Sequence, residues 1–377
     1  MAPWIRTEGE LRAFVARLEG SRALALDSES DSLHHYKEKV CLVQMARDQG
    51  EAVLLDPLAL GDLTPLGPVF ADPRVIKVLH GADYDVTTLK RDFGFTFAGL
   101  FDTMIAARFL GLPAIGLQAV AQAELGVALS KDSQKDDWSV RPLSPRQEAY
   151  ALADVQHLLT LHARLETKLR EVGRLEWVLE ESGAVAELPA ARRDRDPEAW
   201  QSVKGARKLK PRALAILREV HAWREQRAEA RDLPAFKIFG TEPLLELAEK
   251  APTTAAELRQ IRGLSPRLRD DPAELLLAVA RGLSVSDTAL PRLPKAPPRP
   301  LLTDMQKRHE AALRTWRTEE GKRAALDVSV VLPQRLIDKL TEAAPTDLDG
   351  LTRVEGLRTW RRDAFGQGLL AALRAAS

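Results

Sequence analysis

Arg22-Ala23-Leu24-Ala25-Leu26-Asp27-Ser28-Glu29 is an apolar run that ends in two carboxylates separated by one serine. Read as a strand, it alternates its side chains between two faces. Asp27 and Glu29 then project to the same side, with Cα atoms about 6.5–7 Å apart at roughly 3.3 Å of rise per residue. Two like-facing carboxylates repel each other unless a cation sits between them, and hard oxygen ligands of this kind suit Mg²⁺ or Mn²⁺. An Asp-x-Glu triplet is common by chance, so its meaning depends on what else the chain brings to this strand end.

Upstream, Thr7-Glu8-Gly9-Glu10 has capping-box spacing and opens an amphipathic helix through Leu11, Phe14, Val15 and Leu18. Downstream comes a polar loop with His34 and His35, read as solvated. Val40–Met45 and Ala52–Leu55 follow as strands joined by an Asp48-Gln49-Gly50 turn, so the first three strands form a meander. The pattern then predicts a helix near Leu63–Phe70, a strand at Val75–Leu79 and a helix over Asp83–Phe93 with Val86, Leu89 and Phe93 on one side. Helical patterns continue at Asp102–Leu110 and Leu117–Leu125, and Lys131–Val140 reads as a loop. Ser144-Pro145-Arg146-Gln147 combines a capping residue, proline at the first helical position and glutamine at the third, starting a long helix to about Val172. A sheet with helices on both faces is a mixed α/β layer fold.

At 377 residues the chain should hold two or three domains, and 45% apolar content is enough for packed cores. Lys plus Arg (55) and Asp plus Glu (54) nearly cancel, so only local charge can argue for a nucleic-acid partner. A single cysteine, Cys41, excludes an intramolecular disulfide and any Cys-rich zinc site, and its apolar surroundings suggest a buried, inert thiol. The first residues show no signal-peptide pattern and no stretch approaches 18 apolar residues. A soluble, cytoplasmic monomer with no membrane partner is the expectation.

Two further acidic positions fall where a strand-end metal centre could use them. Asp85 lies in the first turn of the helix after Val75–Leu79. Asp154 lies on the long helix, with Tyr150 four residues earlier and so on the same face. Ala151, Leu152, Ala153 and Val155 around them are apolar, so a carboxylate and a phenol there would be partly buried and in need of partners.

Leu26-Asp27-Ser28-Glu29, Leu79-His80-Gly81-Ala82-Asp83-Tyr84-Asp85 and Tyr150-Ala151-Leu152-Ala153-Asp154 resemble the three motifs of the DEDD 3′-5′ exonucleases, in order. Tyrosine four residues before the last aspartate matches the tyrosine subclass. Lys131-Asp132-Ser133-Gln134, Asp137-Trp138 and Arg141-Pro142-Leu143-Ser144 resemble the ribonuclease D family within it. Asp83 and Asp85 both stand where the second-motif aspartate could be. The family pattern selects Asp85, leaving Asp83 as a helix N-cap. The resemblance implies an α/β, ribonuclease H-like exonuclease domain that uses two divalent cations, Mg²⁺ or Mn²⁺. Asp27 would bridge the two, Glu29 and Asp154 would complete one site, and Asp85 would serve the other. Tyr150 would orient the attacking water. It further implies release of nucleoside 5′-monophosphates from RNA 3′ ends, such as those of tRNA precursors and other structured RNAs, with Gln134 and Trp138 near the substrate.

The second half repeats itself at an offset of 93 residues. Trp223-Arg224 meets Trp316-Arg317, Ala251-Pro252-Thr253 meets Ala344-Pro345-Thr346, and Gly263-Leu264 meets Gly356-Leu357. Both copies read as helical and resemble HRDC domains. The expected division is an exonuclease domain at 1–195, a first HRDC domain at 196–283, a linker at 284–300 with Pro291, Pro294, Pro297, Pro298 and Pro300, and a second HRDC domain at 301–377. No phosphate-binding loop occurs, which excludes a helicase motor. The first copy is basic at its entrance: Lys204, Arg207, Lys208, Lys210, Arg212, Arg218, Arg224, Arg227 and Arg231 stand against Glu219, Glu225 and Glu229. That excess could follow RNA phosphates, with Lys204, Arg207, Lys208, Lys210 and Arg212 as the candidate contacts. In the second copy Asp304, Glu310, Glu319 and Glu320 stand among the basic residues, so such a face is less evident and a packing or partner-binding module is the alternative. Two other functions stay open at this point: a DNA 3′-5′ exonuclease using the same carboxylates, and a catalytically silent RNA-binding protein on a nuclease scaffold.

Overall fold

Alternation along the central strand decides how the layers stack. In a computed structural model, which describes residues 3–47, 51–192, 196–294 and 301–377, Leu24 and Leu26 pack into one apolar layer and Ala25 into another. The Asp48-Gln49-Gly50 turn, residue 195 at the expected domain boundary, and Pro297, Pro298 and Pro300 of the linker lie outside the described residues. The chain divides into two compact units. One comprises Met1–Glu29, Val40–Ala191 and Pro300–Ser377, the other Ser30–Lys39 and Arg192–Arg299.

The first unit is built on a six-stranded sheet. Its elements in chain order are β1 (Trp4–Ile5), α1 (Glu8–Arg17), β2 (Ala23–Ser30), β3 (Val40–Arg47), β4 (Ala52–Leu55), α2 (Pro57–Leu60), α3 (Gly67–Ala71), β5 (Ile76–Leu79), α4 (Asp83–Phe93), β6 (Leu100–Asp102), α5 (Thr103–Phe109), α6 (Leu117–Leu125), α7 (Pro145–Gln156), α8 (Leu158–Glu171) and α9 (Leu175–Ala186). The strand order is β1-β4-β3-β2-β5-β6. β3 and β4 pair antiparallel, while β1 on β4, β2 on β5 and β5 on β6 are parallel. Leu24 and Leu26 share a core with Leu11 and Phe14 of α1, Phe70 of α3 and Val86 and Leu89 of α4. Ala25 shares the opposite core with Val155 of α7 and Leu158, Leu161 and Leu165 of α8.

Two local expectations change, and three elements stand outside the expected pattern. β1 and β6, two and three residues long, are too short to carry a period. The expected helix near 63–70 is a 3-10 turn at Thr64–Leu66 followed by α3, with a proline near the start of each. The single long helix is two, broken at His157. Apolar positions 151, 155, 158, 161, 165 and 169 keep helical spacing across that break, so the pattern could not reveal it. α9 lies beyond the expected end of the long helix.

The second helical copy belongs to the same unit. It comprises α16 (Asp304–Ala324), α17 (Val328–Val331), α18 (Gln334–Ala343), α19 (Leu348–Thr352) and α20 (Thr359–Ala375). Leu313, Leu340, Trp360, Phe365 and Leu369 join the core that holds Ala25 and Phe109. Trp360 stacks on Trp177 of α9 with ring centroids 4.7 Å apart. Glu180 accepts the N–H groups of Thr359 and Trp360, each at 2.8 Å, and Glu181 accepts the Trp360 indole N–H at 2.9 Å. The copy is therefore fused to the nuclease by a shared core.

The second unit holds the first copy: α10 (Pro211–Ala230), α11 (Ala235–Ile238), α12 (Thr241–Lys250), α13 (Ala255–Arg259), α14 (Pro266–Asp270) and α15 (Ala273–Ser284). Its backbone repeats that of the second copy in detail. Residues with positive φ recur 93 positions apart as Asp232 and Ala325, Ala251 and Ala344, and Gly263 and Gly356. The Ser30–Lys39 segment packs with this unit. His35 Nδ1 lies 2.6 Å from Asp232, the Tyr36 hydroxyl donates to Glu225 at 3.2 Å, and Lys37 pairs with Glu229 at 3.3 Å. His35 is thus a paired residue rather than a solvated one. Among the described residues no helix is long and apolar enough to cross a membrane.

Candidate active site

Two helices, one from each side of the sheet, meet at the end of β2. On the face of Ala25 lie Asp27 and Glu29, covered by α7. Ser144 and Gln147 close a capping box with Pro145 at the first turn, which fixes where α7 starts and hence where Tyr150 and Asp154 point. Carboxylate oxygens of Asp27, Glu29 and Asp154 lie within 4.8 Å of one another. Asp85 arrives from the other face, in the first turn of α4, and Ser28 Oγ donates to its Oδ1 at 2.5 Å. Asp85 is 7% exposed, whereas Asp83 faces solvent. Ala82, not Asp83, is the N-cap of α4, so the expected capping role does not fall to Asp83.

The electrostatics are those of a site short of positive charge. Burial, then the charges of Asp85, Glu29 and Asp154, push Asp27 well above the carboxylate range. Burial, then Asp154, Asp85 and Asp136, lifts Glu29 to about 9. Burial raises Asp154 to about 7 against the pull of the Tyr150 hydroxyl, and Asp85 to about 6 against the Ser28 hydrogen bond. Among the described residues no lysine or arginine pairs with any of the four. Four carboxylates without a protein cation form a hard, anionic donor set that fits divalent cations.

Tyr150 stands beside Asp154 with its acidity suppressed by burial and by the neighbouring carboxylates, so it is a phenol at ordinary pH. Its ring lies against Trp138, centroids 5.9 Å apart. Trp138 is 1% exposed, which corrects the expectation that it touches RNA: a buried ring offers no face for a base to stack on. Gln134, in the same loop, is exposed. Arg141 pins the loop, donating to Asp56 at 2.8 and 2.9 Å and to the carbonyls of Trp138 and Cys41 at 2.7 and 2.6 Å.

In the second unit Lys204, Arg207, Lys208 and Lys210 are exposed. Arg212 is only half-buried and already engaged. Its guanidinium binds the carbonyl oxygens of Leu283 and Val285 and the carboxylate of Asp287. Arg218, Arg224 and Arg227 pair with Glu219, Glu225 and Glu274. Of the basic residues counted along the sequence, the exposed ones are those at 204–210.

Ser28 is only a spacer in the triplet, and Asp102, expected to open a helix, also ends β6. Arg141 stood inside a quoted motif, but its partner Asp56 is 85 residues away and no local pattern joins them.

The fold and this site define a 3′-5′ exonuclease, and the sequence matches that family over residues 2–170 and the HRDC domain over 213–280 and 306–373. Ribonuclease D of Pseudomonas paraeruginosa is 32% identical over 99% of this chain and 98% of its own. Ribonuclease D of Gluconacetobacter diazotrophicus is 34% identical over 97% and 91%. The crystal structure of Escherichia coli RNase D, an exoribonuclease involved in structured RNA processing, superposes with a TM-score of 0.71 at 26% identity, covering 100% of this chain and 99% of that one. The chain belongs to the ribonuclease D family and is a 3′-5′ exoribonuclease with a mixed-sheet nuclease domain followed by two helical HRDC domains.

Proposed function

We propose that Asp27, Glu29, Asp85 and Asp154 hold two divalent cations, Mg²⁺ or Mn²⁺, and that the enzyme removes nucleoside 5′-monophosphates from the 3′ ends of structured RNAs such as tRNA precursors. The observation that carries this reading is the gathering of Asp27, Glu29 and Asp154 oxygens within 4.8 Å while Asp85 comes in from the opposite face. Such cations supply the positive charge that offsets these carboxylates and the charge developing on a phosphodiester in its transition state. Asp27 belongs to this triple and also feels the charge of Asp85, which supports it as the residue that would serve both cations. The Tyr150 hydroxyl, held in its protonated form, orients a water by hydrogen bonding and does not remove its proton. Trp138 and Arg141 keep Tyr150 in place from behind. Lys204, Arg207, Lys208 and Lys210 contribute affinity for phosphates without reading sequence. The tRNA-precursor substrate draws support from the structured-RNA role of the E. coli relative. Residues 1–195, 196–283 and 301–377 act as three functional modules of a monomer.

The test is Asp27→Asn. It should abolish Mg²⁺-dependent release of 5′-mononucleotides from an RNA 3′ end while leaving the circular dichroism spectrum unchanged. Retained activity would refute the assignment. A parallel digestion of RNA and DNA of one sequence should favour RNA.

A further inference from the structure

Asp102 ends β6 and caps α5, and it is 3% exposed. Its Oδ1 accepts the N–H groups of Met104 at 2.7 Å and Ile105 at 3.2 Å, which is the usual work of a capping aspartate. This carboxylate does more. Oδ1 also accepts from the Gly81 N–H at 3.0 Å, and Oδ2 from the Ala82 N–H at 2.8 Å. Gly81, at φ 75°, and Ala82 form the turn from β5 into α4. Ala82 is the N-cap of α4 and has no side chain able to cap it, so the entry of that helix is held from outside, by a residue about 20 positions further along the chain. Asp85 stands three residues past Ala82.

Asp102 is in turn held from behind. Its own N–H donates to Ser182 Oγ of α9 at 3.1 Å, and Ser182 is fully buried.

We infer that Asp102 is a positioning residue: by tying the Gly81-Ala82 turn to the start of α5, it sets the place that Asp85 takes in the cation site. The inference rests on the reading of Asp85 as a cation ligand. Groups that orient metal ligands from behind typically govern affinity roughly tenfold or more when altered. A purely structural cap at α5 would need only the Met104 and Ile105 bonds.

Asp102→Asn separates the two roles. Asparagine caps helices as well as aspartate does, and one oxygen at the Oδ1 position retains Gly81, Met104 and Ile105. The amide nitrogen then faces the Ala82 N–H, donor against donor, so only the bond at the helix entry is lost. The experiment is calorimetric Mn²⁺ titration of the full-length protein without RNA, with Asp85→Asn alongside, followed by steady-state kinetics. Asp102→Asn should weaken Mn²⁺ binding about tenfold and lower kcat at an unchanged KM for RNA. Wild-type Mn²⁺ affinity in Asp102→Asn, with Asp85→Asn impaired, overturns the inference and leaves the reading of Asp85 standing. Wild-type affinity in Asp85→Asn overturns that reading itself. If Asp102→Asn does not fold, Ser182→Ala keeps the carboxylate and all four of its bonds while freeing the Asp102 N–H. A smaller loss of Mn²⁺ affinity is then expected, and no loss overturns the inference.

Discussion

Ser28 Oγ donates to Asp85 Oδ1 at 2.5 Å, tying the spacer between two β2 carboxylates to a third that arrives on the opposite face of the sheet. The alternation that sends Asp27 and Glu29 toward α7 sends Ser28 toward α4. Ser28→Ala should therefore leave the fold intact and lower kcat about tenfold. The hydrogen bond also holds Asp85 down against burial. Without it, protons compete with cations to a higher pH, so the acid limb of the rate profile should move up. An unshifted pH–rate profile would show that Ser28 does not govern Asp85.

Glu29 at about 9, Asp154 at about 7 and Asp85 at about 6 all lie above their ordinary carboxylate values. The cation-free folded protein then binds more protons than the unfolded chain from roughly pH 4 up to roughly pH 9. Its stability contribution from these groups is present at low pH and is lost as pH rises through that window. Thermal unfolding of cation-free protein should show Tm falling between pH 6 and 8.5. Glu29→Gln should flatten the fall, and Mn²⁺ should raise Tm more at pH 8 than at pH 6. Equal pH slopes for wild type and Glu29→Gln would contradict this account.

Tyr150→Phe keeps the ring contact with Trp138 and removes only the hydroxyl beside Asp154. Single-turnover rates should fall by roughly 10²-fold, with RNA affinity and Tm little changed. The rate should fall uniformly with pH, because Tyr150 stays protonated throughout the working range. A rate loss confined to one limb of the profile would instead indicate proton transfer by the phenol.

Glu180 receives two backbone N–H groups at the start of α20, doing from α9 what a local cap would do. Glu180→Ala should destabilise the protein by about 1–2 kcal/mol, measured by urea unfolding. Removal of Trp360 should cost more, because its ring packs against Trp177, Phe109 and Phe365.

Replacing Lys204, Arg207, Lys208 and Lys210 together by alanine should reduce the slope of log affinity against log salt by up to about 3 for single-stranded RNA. Arg212→Ala should instead lower Tm, since that guanidinium holds the end of α15. An unchanged salt slope in the quadruple variant would remove 204–210 from the RNA surface.

The layers of the nuclease were legible because β2 to β5 and the helices α1, α4 and α6 carry their own period. So were the carboxylates, because motif order survives in the chain. What was not legible is contact between distant residues. His157 interrupts a helix without disturbing its apolar spacing, and Trp138 is an aromatic in a polar loop whose burial depends on Leu54 and Ala151. Arg212 looked like part of a basic surface until the carbonyls of Leu283 and Val285, some 70 residues away, claimed it. The two HRDC copies match in sequence and in backbone, yet only the tertiary packing distinguishes the one fused to the nuclease core from the one in a separate unit.

That fusion has a consequence for synthesis. Domains commonly fold as they leave the ribosome, at about 5–20 residues per second. Here the unit holding the nuclease is discontinuous: residues 192–299 intervene before its last part, Pro300–Ser377, is made. The aromatic surface formed by Phe109 and Trp177 waits for Trp360 and Phe365, which follow the intervening unit in the chain. The strands all precede residue 192, so a nascent chain can assemble the sheet early, but the shared core closes only once Pro300–Ser377 has been made.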